Sequence, residues 1–274
     1  AELIIGPLYA NNVREASRLA RGAGKSMIAF STDTNVASRG TYLLSFLVEG
    51  YVNRIVDFAA QRGKKSFAAL VPENDYGTVA LAEFQQAAAR RNIRVQAIER
   101  YAPGQSSGAV QRIAAIASQI DALFIPEQAD AMAIVAAQLT TAGLESKRVQ
   151  ILGTGLWNDA RVLKLPALQG AWFSAPENGG FNAFAQRYRA KFGSDPTRLA
   201  TLSYDAVSLA AALARSQGAQ RFSESTLTNP SGFNGADGIF RFSADGQVER
   251  GLSILQINNG TTSVVSPAPR SFGG

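Results

Sequence analysis

"SFAALVPENDYGTVALAEFQQAAARRNIRVQAIERY" spans residues 66–101 and decides how the chain is read. Residues 66–72 are a short apolar run closed by Pro72, the pattern of a buried strand. Glu73-Asn74-Asp75-Tyr76-Gly77 follows as a polar loop. Residues 78–91 are alanine-rich with helical spacing, and 93–101 return to a strand pattern. A strand, a helix and a second strand in so short a span form a βαβ unit, which makes the two strands parallel.

The same alternation extends outward. Toward the N-terminus, strands are expected at 2–5, 26–31 and 41–48. Between them lie a helix with Val13, Ala16, Leu19 and Ala20 on one face, and another with Val52, Ile55, Val56 and Ala59 that stops at Gly63. Toward the C-terminus, strands are expected at 121–126, 149–155 and 170–176, with helices through Val110 and Ile113, over 129–142, through Phe181 to Tyr188, and over 199–216. The tail "GIFRFSADGQVERGLSILQINNGTTSVV" reads as antiparallel hairpin, with turns at Asp245-Gly246 and Asn259-Gly260. The fold class is therefore α/β, with mostly parallel sheets flanked by helices.

Composition removes much chemistry. The 274 residues contain no histidine and no cysteine. This excludes a Ser-His-Asp triad, a cysteine nucleophile, a His/Cys zinc site and a disulfide. No catalytic residue, metal site or cofactor is expected. The net charge is +6, scattered rather than gathered in a stripe, which argues against a nucleic-acid partner. Two stretches imitate known motifs. "GAGKS" (22–26) looks like the end of a phosphate loop, but Leu19 stands where the first glycine belongs and the order is helix to strand. It reads as a helix C-terminal turn. "GTG" (153–155) is too short for a dinucleotide fingerprint.

In parallel sheets, ligands gather beyond the carboxyl ends of the strands. The residues following those ends are Tyr9, Ala10 and Asn11; Ser31, Thr32 and Asp33; Tyr76; Glu127 and Gln128; Trp157 and Asn158. Hydroxyls, amides, carboxylates and rings suit a small-molecule site. Ser31, Thr32, Asp33, Asn74 and Asp75 serve equally well as turn and cap residues. Tyr76 and Trp157 serve equally as packing rings, and Glu127 as a solvated loop charge.

"LIIGPL", "MIAFSTD", "FAALVPENDYGTVALAEFQQAAARRNIRV" and "YDAVSLAAAL" (204–213) together resemble the type I periplasmic solute-binding proteins, of which the branched-chain amino-acid-binding proteins are familiar members. "ILGTGLW" (151–157), "RLATLSYDAV" (198–207), "DGIFRFSADGQVERGL" (237–252) and "PAPRSF" resemble more closely the penicillin-binding protein activator branch.

The resemblance implies two α/β lobes around a ligand cleft, joined by three crossings. The first lobe would hold 1–62 and 177–242, and the second 63–176; residues 243–274 would form a C-terminal hairpin and a crossing to the second lobe. Hinges would lie near 62–64 and 176–178. The resemblance also implies a periplasmic, non-catalytic regulatory protein that binds a small molecule or cell-wall component, with a peptidoglycan synthase as partner. The alternative is a receptor that delivers amino acids or related polar solutes to a membrane permease.

Carried over by position, Ala10 replaces a hydroxyl residue that holds the ligand carboxylate. Ser31, Thr32 and Asp33 fill the next ligand loop, and Tyr76 is the stacking tyrosine. No acid lies near 155–157 to hold an ammonium. The opening strand corresponds to the third strand of the first lobe. Two βα units would then precede it, with a lipid-bearing cysteine in that part, and exposed apolar surface is expected beside residues 2–5.

Overall fold

A computed structural model gives the fold and describes residues 1–273. Its described residues divide into a first unit (1–47, 176–251 and 268–273) and a second unit (48–175 and 252–267). It passes between them at 47/48, 175/176, 251/252 and 267/268, a fourth passage beyond the three expected.

The first unit opens with β1 (Leu3–Ile5), α1 (Ala10–Gly22), β2 (Ser26–Ala29) and β3 (Thr41–Leu43). The strands pair in parallel in the order β1-β2-β3. Side chains alternate across the sheet. Met27, Ala29 and Leu43 pack with Val13 of α1 and Val36, while Ile28, Tyr42 and Leu44 face the opposite core. At the sheet edge, Leu3 and Ile4 are half-buried, and Ile5 is exposed with Leu8. The strand expected over 41–48 ends at Leu43, because the Ser45 hydroxyl takes the Phe30 carbonyl and Val48 already opens a helix.

That helix is α2 (Val48–Gln61). The second unit continues through β4 (Ser66–Pro72), α3 (Asp75–Arg90), β5 (Arg94–Tyr101), α4 (Ser107–Ala115), β6 (Ala122–Phe124), α5 (Ala129–Thr141), β7 (Gln150–Gly153), α6 (Ala160–Leu163) and β8 (Trp172–Ala175). Helix α2 belongs here rather than with the first lobe as the resemblance had implied. Its Val48, Val52, Ile55, Val56, Phe58 and Ala59 share one core with Phe67, Ala69 and Val71 of β4 and with Phe84 of α3. Each Val, Ile or Phe side chain among these contributes about 1.5–3 kcal/mol by its burial. Gly63, expected at a hinge, ends α2 inside this unit in the left-handed conformation (φ 81°), which glycine adopts without strain.

The chain returns to the first unit as α7 (Asn178–Phe192), α8 (Ala200–Ser216), α9 (Glu224–Leu227), β9 (Phe233–Gly235), β10 (Gly238–Phe242) and β11 (Val248–Arg250). The last three form an antiparallel sheet in the order β11-β10-β9. Then β12 (Ser253–Asn258) and β13 (Thr261–Ser266) join the second unit. Its seven-stranded sheet runs β13-β12-β8-β7-β6-β4-β5, antiparallel at β12 and β13 and parallel elsewhere. The tail is thus two hairpins in two sheets, and both expected turns are present. Gly246 has φ 88°, and Asn259 and Gly260 have φ 48° and 77°. No described helix is long and apolar enough to cross a membrane.

Candidate functional site

The carboxyl ends of β4, β5, β6 and β7 place four loops of the second unit side by side. After β4, Asn74 caps α3 by accepting a hydrogen bond from the Gly77 amide at 2.7 Å. Only glycine fits at 77, since a Cβ there would lie 2.1 Å from the Pro72 carbonyl oxygen. This close approach seats the first turn of α3 on the strand end. Tyr76 is thereby held so that its hydroxyl donates to Thr154 Oγ1 at 2.8 Å, beyond the end of β7. Burial raises the Tyr76 pKa, and nearby Glu49 adds to the rise, so the phenol stays a proton donor.

Glu127 follows β6 and is only 3% exposed, so it is not a solvated loop charge. One carboxylate oxygen accepts from Tyr101 Oη at 2.5 Å, and the other from the Gln128 amide at 2.7 Å. Burial and then the hydrogen bond to Glu127 hold the Tyr101 pKa above the usual phenol range. Gln128 is exposed and stands at the N-cap of α5.

Trp157 carries no exposed surface. Its indole lies against Gly153, where a Cβ would come within 2.2 Å of the ring, and its Nε1 donates to the Glu127 carbonyl at 3.2 Å. The ring therefore supports the site from within the core and does not line its surface. Asn158 follows, half-buried. Gly155 is pressed against Tyr51 of α2, whose ring a Cβ there would meet at 2.4 Å. Asp159, in the same loop, caps α6 through the Arg161 amide at 2.8 Å.

The first unit has its own strand-end groups. Tyr9 is 70% exposed at the N-cap of α1, and Ala10 is the first residue of that helix. Ser31 is buried and its hydroxyl accepts from the Asp33 amide at 3.1 Å. Asp33 acts as a cap, accepting from both the amide and the side chain of Asn35 at 3.0 and 2.9 Å. Thr32 is exposed.

Within the second unit, the structure brings Tyr76 to Thr154 and Glu127 to Tyr101 and Trp157. Sequence reasoning missed Thr154, Tyr101 and Tyr51. The first two are polar residues at or just past strand ends, which was a usable signal; Tyr51 sits in an apolar helical run and gave none. Such an array of protonated phenols, one paired carboxylate and backbone amides can orient a small polar molecule. Among the described residues, no group of three metal-ligating side chains exists.

Several solved structures share this fold. A protein described as a branched-chain amino acid ABC transporter from Rhodospirillum rubrum superposes with a TM-score of 0.83 at 18% identity, over 93% of this chain and 77% of that one. A branched-chain amino acid ABC transporter periplasmic ligand-binding protein from Burkholderia xenovorans gives 0.81 at 16%, over 100% and 79%. A solute-binding protein of an ABC transporter from Rhodopseudomonas palustris, in complex with 3,4-dihydroxybenzoic acid, gives 0.70 at 19%, over 100% and 80%. A comparison with curated proteins finds no match. Residues 1–262 match the family described as periplasmic binding protein, and the chain belongs to that family: a non-catalytic binding protein of the periplasm or the extracellular space.

Proposed function

We propose that the protein is a solute receptor for an ABC-type membrane permease and that it takes up an amino acid or a related small polar solute. The observation that carries this reading is Tyr76, fixed on the first turn of α3 with its hydroxyl on Thr154 at the mouth of the parallel strands. It stands where ligands of parallel α/β sheets bind. The solved structures of like fold include transporter receptors, one of them holding an aromatic acid.

Two anchors of an α-amino acid are altered. Ala10 supplies no hydroxyl, and Glu127, the acid buried just past the end of β6, already has both oxygens occupied. Solutes that need no acid to hold an ammonium, aromatic carboxylates among them, therefore belong in the first test panel. The test is a thermal-shift screen of amino acids, aromatic acids and small amides, followed by calorimetry on any hit. A stabilising solute whose effect Tyr76→Ala abolishes supports the receptor reading.

The activator reading rests on the resemblance of 151–157, 198–207, 237–252 and 267–272. Arg198 and Asp237, from the second and third of these stretches, pair at 2.6 Å inside the first unit. That pairing gives these two residues a role in folding. Binding to a purified peptidoglycan synthase, with no solute bound by the protein, would reverse the order of the two readings.

A further inference from the structure

The face of the first unit at the N-terminal ends of β2 and β3 carries three adjoining hollows, of about 580, 300 and 250 Å³. Arg21 lines the first and second, and Lys25 the second and third, so they form one trough. Lys25 is the lysine of the "GAGKS" look-alike, which here is the turn ending α1: its own amide bonds the Ala20 carbonyl at 2.9 Å.

The charges in the trough do not cancel. Glu15, Glu224 and Glu2 are each held by an arginine, namely Arg18, Arg39 and Arg221. Among the described residues, Arg14 bonds only the Asn11 side-chain amide oxygen at 2.9 Å, and Arg21 only the Ser38 hydroxyl at 3.0 Å. Lys25 makes no ion pair among the described residues within salt-bridge distance, although Glu2 feels its charge. Arg14 and Arg21 are two turns apart on α1, roughly 10 Å along its axis. Part of this basicity complements the negative C-terminal end of α1.

The middle hollow holds a feature the helix end does not explain. Tyr42 lines it, is wholly buried, and its hydroxyl has no hydrogen-bond partner. The Gly40 amide beside it can only donate, so it supplies no acceptor for the phenolic proton. Burial raises the Tyr42 pKa, which keeps that proton in place. A buried donor without an acceptor is costly, and natural structures rarely keep one without a reason.

We propose that this trough is a binding site for an oligoanion bearing phosphate or carboxylate groups, with one oxyanion group seated between Arg21 and Lys25 over the Tyr42 hydroxyl and the remainder running toward Arg14. The class of ligand follows from the donors: cations in a row and a phenolic proton all seek anionic oxygen.

The experiment is calorimetry at low salt on the whole protein, with tripolyphosphate in one arm and pentaglutamate in the other. At least one binds, with affinity that falls as salt is added. Tyr42→Phe weakens that binding about tenfold, the size of one hydrogen bond to a charged group. It leaves the unfolding temperature equal or higher, because an unsatisfied buried hydroxyl is gone. Arg21→Ala with Lys25→Ala weakens binding further, whereas Arg215→Ala, exposed on the last turn of α8, leaves it unchanged. The proposal is overturned if neither anion binds at low salt, if Tyr42→Phe binds like wild type, or if Arg215→Ala costs as much as Arg21→Ala. The arm that binds tells phosphate from carboxylate.

Discussion

Tyr76 and Thr154 are joined by a hydrogen bond of 2.8 Å between residues that lie on different βα units, and the bond ties the start of α3 to the end of β7. Thr154 has no exposed surface. Tyr76→Phe therefore leaves a buried hydroxyl short of this partner and is expected to cost about 1 kcal/mol of stability. Tyr76→Ala also removes a largely buried ring and is expected to cost about 3 kcal/mol. Urea unfolding measures both. Equal midpoints for Tyr76→Phe and wild type would show that the bond contributes nothing to the fold.

Gly155 approaches Tyr51 so closely that an added Cβ would lie 2.4 Å from its ring. Tyr51 is 7% exposed and has little room to withdraw. Gly155→Ala is expected to destabilise by about 1–3 kcal/mol through overpacking. Because the strain falls on the strand-end loops, it is also expected to weaken the binding of any solute found by screening. A variant with wild-type unfolding and wild-type affinity would mean that the contact is loose.

Most of the architecture was legible because helices and buried strands print different periods on the sequence. The run 66–101 shows its strand–helix–strand order, but Asn74 caps the helix so that it starts at Asp75 rather than at 78, and Tyr76 lies in its first turn instead of in a loop. The reading over 41–48 failed because Leu44, Leu47 and Val48 are buried in a loop and a helix start as thoroughly as a strand would bury them. Burial alone does not tell these apart. In the site, the loops were legible but the partners were not. Nothing in the sequence tells that Trp157 turns inward onto Gly153, four residues before it, because residue type does not fix the direction of a ring; nor that Tyr101 reaches Glu127, because that contact joins the ends of two different strands. The exposed ends Tyr9 and Thr32 and the cap Asp33 showed only residue type, which leaves cap and ligand group indistinguishable.

Asp205 on α8 is 3% exposed; one oxygen accepts from the Ala236 amide at 2.7 Å, and the other has no partner. Burial raises its pKa above the ordinary carboxyl value, against the opposing pull of the Ala236 amide and of Arg250. A pKa raised in the folded state means that the folded protein holds its proton more tightly than the unfolded chain. That contribution to stability is complete below the unfolded value of about 4 and is lost as pH rises through the folded value. Asp205→Asn is expected to flatten this decline. Urea unfolding of both proteins in steps upward from about pH 4 measures it. Parallel profiles would remove Asp205 as the cause.

Arg198 holds Asp237 through two nitrogens at 2.6 and 3.1 Å, and lies over the rings of Phe181 and Phe46 at 4.7 and 5.1 Å. The Asp237 side chain is fully enclosed. Arg198→Ala leaves that carboxylate buried without its cation and is expected to cost about 3 kcal/mol or more. Adding Asp237→Asn to the same variant is expected to recover part of the loss. A double-mutant cycle with no coupling between the two positions would contradict this account of the pair.

On the proposed receptor function, the strand-end groups around Tyr76 receive a small polar solute. The most direct measurement is calorimetric titration of wild type and Tyr76→Ala with each solute that raises the unfolding temperature. A solute at 100 times its dissociation constant stabilises the protein by about 2.7 kcal/mol. The predicted result is one-site binding to wild type, lost or at least tenfold weaker in a folded Tyr76→Ala. Equal affinity in the two proteins, or no stabilising solute in a panel of amino acids, aromatic acids and small amides, would contradict it.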